Sequence, residues 1–181
     1  MGRPRTRLRR PVLLPAREGS AIVEFALVAT TLIYLVAGVI DLVAMSGINR
    51  EIERASTQLA AAIASCPTGG STSCVTDTMD LYRTRKANVL MRYPAATLSM
   101  AQINEVSGAI KVCAGNLTYL DADVQTSALS LLYDRDVGIV VMIQMDYQTI
   151  FPSVTRLFTG ASLPHLRGWS VAVQMSDKQI C

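Results

Sequence analysis

From Ala21 to about Ile48 the chain is almost continuously apolar, and the only charges in that run are Glu24 and Asp41. Between Phe25 and Ile40 there is none. About 20 apolar residues suffice to cross a bilayer core as a helix. Beyond Ile48 the pattern becomes periodic: Ile48, Ile52, Ala55, Leu59, Ala62 and Ile63 fall on one stripe at helical spacing. On the polar side of this stretch Glu51 and Arg54, and Arg50 and Glu53, are spaced to pair. These features predict one helix from Ser20 to about Ala64, near 67 Å long at about 1.5 Å per residue. Roughly half of it would span a membrane, and the rest would project.

Pro67 and Gly69-Gly70 stop that helix, and a polar loop runs on to Thr76. Thr76-Asp77 is a capping pair for a second helix over 77–92, ended by Pro94. Residues 97–104 are ambiguous. Val106 to Cys113, split by Ser107-Gly108, reads as a short strand, and 121–133 as helix or loop. Val137 to Tyr147 is rich in β-branched residues and is the clearest strand; Trp169 to Met175 alternates and is the last. Helix first and strands late imply an α+β fold. A long N-terminal helix, half transmembrane and half amphipathic, would lay its stripe on a short antiparallel sheet. The predicted organisation is a basic leader (1–19), a transmembrane helix (20–48), an amphipathic extension (49–64) and an α+β head (65–181).

Charge gives this layout a direction. Residues 1–19 hold six Arg and one Glu, and the remainder holds 11 Lys/Arg against 13 Asp/Glu. The overall +3 is therefore a property of the leader. Arginines beside a span hold that end in the cytoplasm and send the head to the other side. With no folded module around them, they give no reason to expect a nucleic-acid partner. The leader itself, with prolines at 11 and 15, reads as disordered. A secretory signal peptide would be cut after its apolar run, whereas here the plausible cut precedes it.

All four cysteines, Cys66, Cys74, Cys113 and Cys181, follow the span. An even number outside the cytoplasm suggests two disulfides, and sequence alone allows three pairings. The favoured set is Cys66–Cys74, closing a short Gly-rich loop, with Cys113–Cys181 fastening the last residue to a strand. The spacings match no metal template, and the one histidine, His165, has no nucleophile or acid at motif spacing. Tyr82, Tyr93, Tyr119, Tyr133, Tyr147 and Trp169 are scattered, which favours packing in core and rim over a binding surface. Asn116-Leu117-Thr118 matches a glycosylation sequon and reads as coincidence.

The chemistry of the chain concentrates at Arg17-Glu18-Gly19-Ser20-Ala21-Ile22-Val23-Glu24-Phe25. A carboxylate in hydrocarbon costs about 2.5–3.5 kcal/mol at a helix centre, so Glu24 needs a reason to be there. A glycine ending a basic leader, with a glutamate five residues later, is the layout of a prepilin-peptidase site. Gly19 would break the incoming helix and Ser20 would cap it. Cleavage between them would create an α-amino group on Ser20, mostly protonated near neutrality, which can compensate Glu24 in the same chain or in a neighbour. Asp41 lies 20 residues beyond Ala21, about 30 Å along the helix, and so reaches the outer interface. It reads as a boundary residue or as a subunit contact. Ala26, Ala29, Ala37 and Gly38 would let neighbouring helices approach closely.

Gly19-Ser20-Ala21-Ile22-Val23-Glu24-Phe25-Ala26-Leu27-Val28, followed by Gly38-Val39-Ile40-Asp41, resembles the TadE-like family. These are minor pilins, or pseudopilins, of the tight-adherence (Tad, Flp) branch of type IV pili. The resemblance covers about residues 17–62. Relatives often continue the Asp with Gly-Arg, where this chain has Leu42-Val43. The segment Asp146-Tyr147-Gln148-Thr149-Ile150-Phe151-Pro152, between two strands, resembles the usual end of such proteins. The resemblance implies an inner-membrane assembly protein, not an enzyme, with its head in the periplasm and no cofactor. It implies cleavage after Gly19 by a prepilin peptidase, with Glu24 directing processing or assembly beside Phe25. The implied partners are that peptidase, other pilins, the assembly proteins of the inner membrane and membrane lipid. An uncleaved, membrane-anchored binding or adhesin protein is the rival expectation.

Overall fold

The computed structural model describes residues 17–66, 73–85, 88–117, 119–160 and 163–174. Most of the basic leader, the Gly-rich loop 67–72 and Cys181 lie outside them. Helix α1 runs unbroken from Arg17 to Ala64, 48 residues with no proline. It is long and apolar enough to cross a membrane. The helix starts before Gly19, so that glycine does not break it and Ser20 is not its cap. One glycine costs a helix interior only about 1 kcal/mol, too little to end an otherwise strong run.

After α1 come α2 (Ser73–Thr84) and α3 (Asn88–Arg92), where one helix over 77–92 was expected. The start is earlier than Thr76-Asp77 because Cys74, in the first turn of α2, is bonded to Cys66 just past α1. The ambiguous 97–104 is strand: β1 (Thr97–Val106) and β2 (Ala109–Gly115) form a hairpin around Ser107-Gly108. Both turn residues have positive φ, 52° and 82°, as a two-residue turn matched to strand twist requires. What reads in sequence as an interrupted strand is therefore the reversal between two strands. Helix α4 (Ala122–Leu131) resolves the second ambiguity, and β3 (Val137–Asp146) stands where the clearest strand was expected. A helix that the sequence pattern did not predict, α5 (Pro152–Thr159), precedes β4 (His165–Gln174).

The four strands form one antiparallel sheet in the order β2-β1-β3-β4. Central β3 has no polar face because both faces are covered. Ile139, Val141, Ile143 and Met145 meet Ile52, Leu59, Ala60 and Ile63 of α1 in one cluster. Val140 and Met142 point the other way, joining Ala101, Ile103 and the α4 residues Val124 and Ala128. The fold is thus α+β in three layers: α1 with α2 and α3, the sheet, then α4.

The amphipathic stripe packs as expected, with two additions, Ser56 and Ala60, both fully buried. Ser56 satisfies its hydroxyl on its own helix by donating to the Glu53 carbonyl at 2.8 Å. Such small side chains bring α1 close to β4. A Cβ added at Gly168 would lie 2.5 Å from Ile52 Cγ2 and 3.1 Å from the Glu53 amide nitrogen. Gly168 is therefore required by the crossing of helix and sheet. The expected pairs along α1 do not form. Glu51 reaches out to Arg92 and accepts from the Tyr93 hydroxyl, both at 2.6 Å, and Glu53 accepts from Asn49 at 2.8 Å. Of the aromatics, Tyr82, Tyr93, Tyr147 and Trp169 pack in or against the two cores, whereas Tyr119 and Tyr133 are exposed.

The sheet has a direction relative to α1. At one end Val137 pairs with Gln174, whose amide donates to the Cys66 carbonyl at 3.2 Å, just past the end of α1. At the other, Asp146 pairs with His165, Tyr147 donates to the Pro164 carbonyl, and the chain turns onto Asp41. Asp41 and Cys66 are 25 residues apart, about 37 Å along the helix axis. The head lies along the second half of α1, with the Asp146 end toward the apolar span.

Candidate functional site: the exposed helix and its two carboxylates

Before Ala37, α1 stands clear of the head. Ile22, Val23, Phe25, Leu27, Val28, Leu32, Ile33 and Tyr34 are all exposed. Exposure of this kind around a whole helix suits a lipid environment. The two hydroxyls within it are internally satisfied: Thr30 donates to the Ala26 carbonyl at 2.7 Å and Thr31 to the Leu27 carbonyl at 2.9 Å. In hydrocarbon, where no water can serve them, that arrangement removes the penalty of a free hydroxyl. Glu24 has no such provision. It is exposed one turn past Ser20, beside Phe25, on the bare part of the helix. Gly19 and Ser20 lie in the first turns of α1, so the bond between them is helical and not extended. Glycine in that turn makes unwinding easier.

Asp41 differs entirely. It is 1% exposed. Its Oδ1 accepts from the Ile150 amide at 3.0 Å, and its Oδ2 accepts from the Phe151 amide at 3.0 Å and the Thr155 hydroxyl at 2.7 Å. The carboxylate thus caps α5 from outside its own segment. Phe151, the residue at the cap position, has no side-chain acceptor to offer. A helix start leaves amide donors without partners and carries partial positive charge, which a carboxylate satisfies well. Asp41, read from the sequence as a boundary residue or a subunit contact, has both its oxygens taken by the head of its own chain. Ala37 and Gly38 are buried one turn earlier, where α1 meets α5, and are not free for a neighbouring helix. Nearby Tyr147 is buried, and its hydroxyl is pushed above its ordinary pKa first by burial and then by the Asp41 charge.

The sequence did carry a signal for Asp41's partner. Pro152 at the first helical position and Gly160 in the left-handed region after Thr159 bracket a helix. Read only as the stop of a strand, Pro152 conceals it. Thr155 on that helix is the residue that sequence reasoning missed.

Cys66 and Cys74 form a disulfide with Cα atoms 5.9 Å apart. Cys113 is also disulfide-bonded, and the expected pairing names Cys181, outside the described residues. His165 does have an acid beside it, Asp146 across the strand pair at 2.8 Å on an exposed rim. Among the described residues no cluster of three or more His, Cys, Asp or Glu is arranged to hold a metal. Asn116 of the sequon is occupied as a ladder partner, accepting from the Met100 amide at 2.7 Å and donating to the Leu98 carbonyl at 3.2 Å. No family model, curated protein or solved structure matches this chain.

Proposed function

We propose that this chain is a TadE-like minor pilin, a pseudopilin of the tight-adherence type IV pilus system. In this reading it sits in the bacterial inner membrane with its N-terminus in the cytoplasm and its head in the periplasm, and is cut after Gly19 by a prepilin peptidase. One observation carries the reading. A lone carboxylate, Glu24, lies five residues after Gly19 on an apolar helix whose large side chains are exposed from Ile22 to Val36. Such a surface suits lipid first and other pilin helices afterwards. The charge of Glu24, once in lipid, has a natural counterpart in the α-amino group that cleavage exposes on Ser20. The role is assembly, not catalysis.

N-terminal sequencing of the protein from native membranes tests this. A mature chain beginning at Ser20 is expected. A chain that keeps residues 1–19 in cells with an active prepilin peptidase overturns the reading and favours an uncleaved anchored binding protein. Glu24→Gln should leave insertion intact and reduce pilus yield. Normal fibres at normal protein levels would make Glu24 a boundary residue only.

A further inference from the structure

We propose that α5 and its flanks are a second membrane-contacting element, which lays the near end of the head in the outer headgroup layer of the bilayer. The inference rests on α1 as a membrane span, and the experiment below separates the two.

The first observation is axial level. Asp41 is 21 residues from Ser20, about 32 Å along the helix, close to the thickness of a hydrocarbon core. The bonds from Asp41 to Ile150, Phe151 and Thr155 fix the start of α5 at that height. The second is the outward face of this element. Val154 and Thr155 turn inward and are buried, while Leu157 is 81% exposed and Ile150 61%. Phe151 and Leu163, on either side of the helix, are exposed too. The third is continuity. On α1 itself Val39 and Val43, which flank Asp41, are exposed. The apolar surface of the span therefore continues onto the head at the depth where the span ends. A short amphipathic element at such a boundary settles with its apolar side about 5–10 Å into the headgroup and acyl boundary. Exposed Arg156 in the same helix suits phosphate-bearing headgroups. Asp41 then clamps the interfacial element to the span and removes both the carboxylate and the helix-start amides from contact with lipid.

The test uses the full chain in nanodiscs of phosphatidylcholine and phosphatidylglycerol, with brominated acyl chains as fluorescence quenchers at shallow or deep positions. Trp169 is the only tryptophan, so Trp169→Phe gives a dark background. Leu157→Trp, Val28→Trp and Tyr133→Trp are compared in it. Tyr133 is exposed and precedes β3, at the end of the sheet away from Asp41. Leu157→Trp should lose about half its emission to shallow bromines and less to deep ones, as an interfacial side chain would. Val28→Trp should be quenched most by deep bromines, and Tyr133→Trp by neither. Quenching of Val28→Trp without quenching of Leu157→Trp overturns this proposal and leaves the span standing. If emission from Leu157→Trp shifts to the blue with protein concentration but is not quenched, a second copy covers the face and the proposal is wrong. An unquenched Val28→Trp removes the span and this inference with it. Should Trp169→Phe fail to fold, the same comparison is made as a difference from the parent chain with Trp169 retained.

Discussion

The two halves of α1 are both rich in apolar residues, yet they answer to different solvents. Residues 20–36 expose large side chains around the whole circumference, and residues 48–63 bury one stripe against a sheet. Both halves silence hydroxyls by bonding them to their own backbone, Thr30 and Thr31 in the first, Ser56 and Thr57 in the second. The halves differ in side-chain size and in the charges on the far side. The packed half has Ala55, Ser56 and Ala60 against the head and Arg50, Glu53 and Arg54 away from it. The bare half has no such division. Apolar content alone therefore does not tell a membrane helix from a core helix; the presence of a polar side does.

The comparison is broken most severely by equal truncations in the two halves. Ile52→Ala, at a fully buried position, should destabilise the head by about 2–5 kcal/mol. Leu32→Ala, at a position 56% exposed, should change head stability by less than about 0.5 kcal/mol. Denaturant titration of the solubilised chain, followed by Trp169 emission, reads both. Comparable losses would mean that the bare half is also packed on the head.

Asp41 sits at the junction of the halves. Asp41→Ala leaves two amides without their acceptor and the Thr155 hydroxyl with only its 3.2 Å bond to the Phe151 carbonyl, which should cost about 2–4 kcal/mol. Asp41→Asn keeps one acceptor oxygen and should fall between. Hydrogen exchange at Ile150 and Phe151 should rise in both variants. Unchanged protection would show that the cap is dispensable.

Glycines sharpen the contrast further. Gly168→Ala forces a methyl against Ile52 and should destabilise by about 1–3 kcal/mol. Gly47→Ala, with nothing within 4 Å of the added carbon, should stabilise α1 by up to about 1 kcal/mol. Opposite signs in thermal unfolding are expected, and equal signs would contradict the close crossing of helix and sheet.

The smallest effect concerns pH. The Tyr93 hydroxyl, bonded to Glu51, holds that carboxyl below its ordinary pKa, with partial burial opposing and Arg92 assisting. A lowered folded-state pKa means that its stabilisation is present above the unfolded value, about 4.3, and is lost as pH falls through the folded value. The melting temperature should therefore drop slightly faster below pH ~4 in the parent chain than in Glu51→Gln. Identical acid limbs would show that the contact contributes nothing.

Much of this fold is legible in the sequence because its signals are local. The length of α1 follows from a run without proline, and β3 follows from unbroken β-branched residues. The Cys66–Cys74 bond follows from a short loop. The rest depends on contacts far apart in the chain. Residues 97–104 carry no distinct period because β1 is buried on both faces for much of its length. Glu51 chooses Arg92 over Arg54 because α3 brings a cation and a phenol to it together. Of the candidate site, Gly19, Ser20 and Glu24 are visible as a motif. The role of Asp41 is hidden because its partners lie on a helix whose first proline reads as the end of a strand.

The bonds of Asp41 also impose an order in time. Its three donors follow it by 109, 110 and 114 residues. A ribosome therefore releases the carboxylate long before anything exists to receive it. Until Thr155 has been made and delivered, this aspartate is a bare charge at the edge of an apolar segment, and the anchor is unfinished. A chain interrupted anywhere before Ile150 would carry that defect permanently. The same carboxylate that holds the finished head in position is thus without its partners in every unfinished one.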